Sequence, residues 1–167
     1  MIMPPSLRLL FALFLLAPAR ALAAEVESAD LEWRGQARFV KTSVVRRLSF
    51  SGGLAPAWGK GAGWMYVDKR GKVVIEGVAA EDNGPAPFHD GLVRVERGGK
   101  CGFADQKGKT RVPLVYDGCM NFDKSKARVC VKCRLECADK SCEHRALKGG
   151  DWRCISLWGG RVACPAP

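Results

Sequence analysis

Histidine is almost missing from this chain: His89 and His144 are the only two in 167 residues. Neither lies near a serine in a nucleophile-elbow context, so no Ser–His nucleophile can be read from the sequence. His89, between Phe88 and Asp90, reads as a solvated loop residue. Cysteine is absent from the first 100 residues. No lipid-attachment cysteine is therefore available near the N-terminus, and the N-terminal half must hold together by packing alone. Long apolar runs are missing as well. Residues 9–17 give nine apolar positions in a row, against the roughly 20 that a spanning helix needs. A phosphate loop is incomplete, because Gly108-Lys109-Thr110 would need a glycine five residues earlier, where Phe103 stands. No carboxylate pair stands out for acid–base work. These gaps argue for a chain that is not an enzyme, with no catalytic residues, no metal and no cofactor.

What is present begins with an export signal. "MIMPPSLRLLFALFLLAPARALAA" has Arg8 as its positive flank, residues 9–17 as its apolar core, and Ala21-Leu22-Ala23 as small residues for cleavage. Residues 1–23 are expected to leave as a signal peptide. Residues 24–167 then remain as one domain, with a formal charge of +8. The expected location is the periplasm or the cell exterior, with no membrane span. An oxidising destination changes how cysteine reads, because an even count there suggests disulfides. The eight are Cys101, Cys119, Cys130, Cys133, Cys137, Cys142, Cys154 and Cys164.

The chain also repeats. "GWMYVDKRGKVVIEG" (63–77) aligns with "KCGFADQKGKTRVPL" (100–114), placing Trp64 on Cys101, Tyr66 on Phe103, Asp68 on Asp105 and Gly71-Lys72 on Gly108-Lys109. "DWRCISLWGGRVACP" (151–165) is a weaker third copy. Upstream of each lies a second shared piece, starting at Phe50, Phe88 and Phe122, so the period is 34 to 38 residues. Residues 92–96 and 127–133 alternate apolar with charged residues, as half-buried strands do. Gly98-Gly99 makes a tight turn between strands. Asp68 and Asp105 open turns that Gly71 and Gly108 close, the glycines being expected at positive φ. Each unit therefore reads as a short antiparallel β-meander with an aromatic on its middle strand.

Phe88, Gly91-Leu92, Gly102-Phe103, Asp105, Gly108-Lys109 and Tyr116-Asp117 resemble the WG (KWG) repeat family, across about residues 35–163. Departures from its pattern are Cys101 in place of Trp, Met65 and Arg153 in place of Gly, and Ser156 in place of Asp. The resemblance implies an all-β repeat scaffold, propeller-like or open, in bacterial exported proteins that act as binding modules without shared catalytic residues. "GQARFV" (35–40) looks like the last strand of a unit whose beginning is missing, which would let the terminal strands pair and close the array.

Copy lengths locate the cysteine cluster. From the leading Phe to the middle-strand aromatic position takes 14 residues in the first unit and 13 in the second, but 30 from Phe122 to Trp152. The surplus is an enlarged loop at about 133–150 between the first two strands of the third unit. So long a polar excursion loses much entropy on ordering, and cross-links are the usual remedy. Structural disulfides are the favoured reading, with the pairing left open. The alternatives are a zinc site through Cys130, Cys133, Cys137 and Cys142, or a redox-active Cys130/Cys133 pair, which would make the chain a metal-binding or thiol-redox envelope protein. Cys130 and Cys133 are not expected to bond to each other, because strand positions three apart point to opposite faces. The loop is basic through Lys132, Arg134, Lys140, Arg145 and Lys148, and it is the expected binding element. Its partner would be an envelope protein or an anionic surface component, not nucleic acid.

Overall fold

The computed structural model describes residues 23–143 and 145–165. The expected leader thus lies, but for Ala23, outside the described residues, as does His144. Ahead of the repeats come β1 (Ala24–Val26), a hairpin of β2 (Leu31–Arg34) and β3 (Ala37–Val40), and one helical turn at Thr42–Val45. The first unit is β4 (Leu54–Gly59), β5 (Gly63–Asp68) and β6 (Val73–Val78), followed by a ribbon of β7 (Ala80–Glu81) and β8 (Gly84–Pro85). The second is β9 (Leu92–Arg97), β10 (Lys100–Asp105) and β11 (Thr110–Tyr116), with β12 (Gly118–Cys119) leading onward. The third contains β13 (Lys126–Val131), β14 (Arg134–Cys137), β15 (Arg145–Lys148), β16 (Asp151–Ser156) and β17 (Arg161–Val162).

Units one and two merge into a seven-stranded sheet in the order β1-β4-β5-β6-β9-β10-β11, and unit three builds a separate sheet, β12-β13-β16-β17. The all-β meander expected from the repeat therefore forms, as open sheets. Among the described residues the terminal strands do not pair, and β3, the strand of the expected partial unit, lies in a hairpin with β2. β1 instead runs parallel to β4, where Val26 packs with Ala55, Ala57 and Met65, and β17 pairs only with β16. The apolar side chain of Val26 finds its burial at the nearest meander, which leaves nothing to draw β1 toward the far end. β3 does meet the first unit, since Val40 N–H donates to the Gly71 carbonyl (2.7 Å).

Turn chemistry repeats with the strands. Gly71, Gly108 and Gly159 donate their N–H to the carbonyls of Asp68, Asp105 and Ser156, each glycine at positive φ (83°, 79° and 80°). The Asp68 and Asp105 carboxylates each also accept two backbone N–H groups from their own turn. Arg111 adds an ion pair to Asp105 at 2.7 Å. Burial pushes the Asp105 carboxyl up, but the Lys109 N–H, the Arg111 guanidinium and the Lys107 N–H outweigh it and hold the group below its ordinary value. A second turn class recurs at Gly52-Gly53, Asp90-Gly91 and Lys124-Ser125, with both central residues at positive φ. His89 sits at the foot of the middle one, exchanging backbone hydrogen bonds with Leu92. It is half-buried, with Nε2 shielded from water, and is not a solvated loop residue.

Neighbouring units interlock through the leading Phe of the later one. Phe88 lies 5.0 Å from Tyr66 of the first unit, and Phe122 lies edge-on to Phe103 of the second at 4.7 Å. Close backbone approaches reinforce this. A Cβ on Gly71 would fall 2.6 Å from the Val40 carbonyl oxygen, and one on Gly108 would strike the carbonyl of Val74. The outer edge of β11 carries Pro113, which has no N–H to offer another strand.

Candidate functional site: the inserted hairpin and its cleft

The excursion between β13 and β16 holds a two-stranded hairpin, β14–β15, outside both large sheets. β13 and β16 pair without interruption from Lys126↔Ser156 to Val131↔Asp151, so the insert grows out of an ordinary meander. β14 buries none of its residues. The hairpin is held at its base and its tip instead.

At the base, Cys130 and Cys133 are bonded to each other, contrary to the expectation from strand geometry. β13 ends at Val131, and Lys132 takes a left-handed conformation (φ 62°). The chain reverses there, so the opposite-face rule stops applying before Cys133 is reached. Both sulfurs are buried against Gly118, where an added Cβ would lie 2.5 Å from Leu147 Cδ1 and 2.7 Å from Cys130 Sγ. Gly118 thus creates the slot in which the hairpin docks through Leu147. Asp117 locks the reversal by accepting the Lys132 N–H at 2.8 Å and Lys100 Nζ at 2.5 Å. The Lys100 ammonium, followed by the Lys132 N–H, holds the Asp117 carboxyl below its ordinary value. At the tip, Cys137–Cys142 closes the connection between β14 and β15.

Two further disulfides lie in the scaffold. Cys101–Cys119 ties β10 to β12, with Cys101 at the position that Trp64 occupies in the first unit. Cys154–Cys164 ties β16 to the segment beyond β17. All eight cysteines are paired, so none presents a thiolate, and among the described residues no group of three or more His, Cys, Asp or Glu is placed to hold a metal.

The five basic loop residues are all exposed, but the hairpin separates them. Arg134 and Lys148 stand directly opposite each other, like charges on one face. Lys132 is at the base and Lys140 at the tip. Arg145 lies on the other face with Leu135 and Leu147, and these three line a cleft of about 750 Å³ between the hairpin and the second unit. Met120 and the Lys100–Asp117 pair form the opposite wall. Leu135 is 58% exposed and Met120 44%, so the cleft offers apolar surface to solvent. Sequence reasoning passed over Leu135, Leu147 and Met120. Asp117 carried a signal, through the Tyr116-Asp117 pair of the repeat pattern. Tyr116 itself is buried under the Arg153 guanidinium, 5.2 Å from its ring centre.

No curated protein and no solved structure matches the chain. A family model described as "WG containing repeat" matches residues 102–132. This segment starts in β10, passes through Tyr116-Asp117 and Cys119, and ends at Lys132, the first residue of the hairpin base. Residues 102–132 thus carry a WG repeat, and the matched segment includes the aspartate on which the inserted hairpin is anchored.

Proposed function

We propose that the chain is an exported, non-catalytic binding module of the bacterial envelope, with the inserted hairpin as its recognition element. The observation that carries this reading is the hairpin's construction. An element with no buried core of its own on β14 is held by a disulfide at each end and an aspartate clamp, presenting cations and apolar side chains outward. Fixing such a surface before binding lowers the entropy lost on docking. Arg134 facing Lys148 is unfavourable in isolation and is relieved by an anionic partner.

Export is supported by four disulfides, which persist in oxidising compartments, and by the signal pattern at 1–23. No helix among the described residues is long and apolar enough to cross a membrane. The partner is an envelope protein or an anionic surface component. Replacing residues 134–148 with a short Gly-Ser turn tests the assignment. The shortened protein should remain folded and exported but lose its retention on isolated envelopes. Undiminished retention would place recognition elsewhere on the repeats.

A further inference from the structure

A second cleft, of about 600 Å³, lies between the β2–β3 hairpin and the seven-stranded sheet, away from the insert. Its floor is aliphatic, built from Val74, Val95, Ala104 and Leu114 of both repeat units. Its charges are unbalanced. Arg34 is paired with Glu32 at 3.2 Å, and Arg38, Lys72 and Arg97 line the cleft against the single carboxylate of Glu76.

The arginines are not equivalent. Arg38 donates to Glu76 Oε1 at 3.3 Å and lies 5.6 Å from the centre of the Trp33 ring, so it is held in place from two sides. Arg97 approaches Glu76 only to 4.0 Å, its side chain is 73% exposed, and among the described residues its guanidinium makes no hydrogen bond. Its fork of donors is therefore available to a carboxylate from outside. The volume falls within the roughly 300–1,000 Å³ of typical ligand sites.

We propose that this cleft binds an extended acidic peptide segment, with one aliphatic side chain on the floor and flanking carboxylates on Arg97 and Lys72. The lining favours peptide over a glycan. Sugar hydroxyls need acceptors as well as donors, and Glu76, the one carboxylate here, already accepts from Arg38, which leaves Gln36 and Thr110 as the neutral side-chain acceptors. Trp33, although 69% exposed, has Arg38 stacked against its ring, which leaves it a poor sugar platform. The floor offers only aliphatic carbon, which suits a leucine or valine side chain.

The test is fluorescence anisotropy of the intact oxidised protein with a fluorescein-labelled Glu-Glu-Leu-Glu-Glu peptide. Binding should be saturable and weaken as salt rises. It should fall about tenfold in Arg97→Glu, whose side chain makes only the one long contact, and by a similar factor in Lys72→Glu. Circular dichroism of both variants should match the parent. Replacing residues 134–148 with the Gly-Ser turn should leave this binding unchanged, which separates the cleft from the hairpin. No binding, or binding indifferent to Arg97→Glu and Lys72→Glu, would overturn the assignment. Tighter binding of an oligogalacturonate probe than of the peptide would also overturn it, in favour of an acidic glycan.

Discussion

The second and third repeat units are one meander held by two kinds of chemistry. In the second, the middle strand places Phe103, about 1% exposed, against the leading Phe122 of the next unit. In the third, the matching position is Cys154, and its partner is Cys164 from beyond β17. An aromatic pair stabilises through apolar area buried in the native state, whereas a disulfide acts chiefly by restricting the unfolded chain. The comparison shows that the repeat requires a filled slot on the middle strand and leaves the filling open. Cys101, at the tryptophan position of the second unit and bonded to Cys119, follows the same logic.

The largest test of this comparison is Phe103→Ala. It should cost about 3–5 kcal/mol in urea denaturation, since it opens a cavity where two units meet. Replacing Cys154 and Cys164 together with alanine should cost about 2–4 kcal/mol. A cost for Phe103→Ala below that of the disulfide would mean that cross-links, not the interlock, carry the scaffold.

Glycine substitutions sharpen the contrast at the next level. Gly108→Val should cost about 3 kcal/mol, because it combines a positive φ with a collision against the Val74 carbonyl. Gly159→Ala in the third unit shares the φ but meets only Val112 side-chain carbons at 3.8 Å, and should cost about 1 kcal/mol. Equal costs in thermal melts would show that the units do not press on their neighbours as Gly108 presses on β6.

The scaffold was legible in the sequence because its devices are local and recur. Asp at the head of a turn, Gly at its end and an aromatic two residues before the Asp all lie within a few positions of one another. The length surplus between Phe122 and Trp152 likewise located the insert. What could not be read depends on contacts distant in sequence or on a single dihedral. The Cys130–Cys133 bond turns on the left-handed conformation of Lys132, which strand periodicity does not report. The cleft against Met120 requires Leu147 to find Gly118, 29 positions away. β1 joins β4 because Val26 enters a buried cluster drawn from β3, the helical turn, β4, β5 and β6, so the alternation that marks the repeats could not place it.

The matched turns also differ in how they titrate. Asp105 has a depressed pKa, so it contributes stability that is present above its ordinary value of 3.8 and is lost as pH falls through the lower folded value. Ser156, at the same place in the third unit, does not titrate. Asp105→Asn should lower the urea midpoint at pH 7, and its deficit should shrink as the pH is taken below 3.8. A deficit that stays constant with pH would mean that the carboxylate's charge contributes nothing to the turn. Asp117, also depressed, should give the same sign in Asp117→Asn, with the loss focused on the hairpin base.

The smallest global effect is expected where the two regions differ most, at the hairpin tip. β14 contributes no buried residue to any core, so opening the hairpin need not open the meander beneath it. Replacing Cys137 and Cys142 together with serine should therefore change the global unfolding free energy by less than about 1 kcal/mol, although a disulfide in general contributes about 2–4 kcal/mol. The loss should appear locally, as faster amide exchange across residues 134–148, while β13 and β16 keep their protection. Loosening the tip raises the entropy that the hairpin must give up on docking, so retention on envelopes should weaken several-fold while the protein stays folded. If retention is unchanged although exchange in the hairpin has accelerated, rigidity at the tip does not serve binding, and the Cys130–Cys133 base with the Asp117 clamp suffices to present the surface.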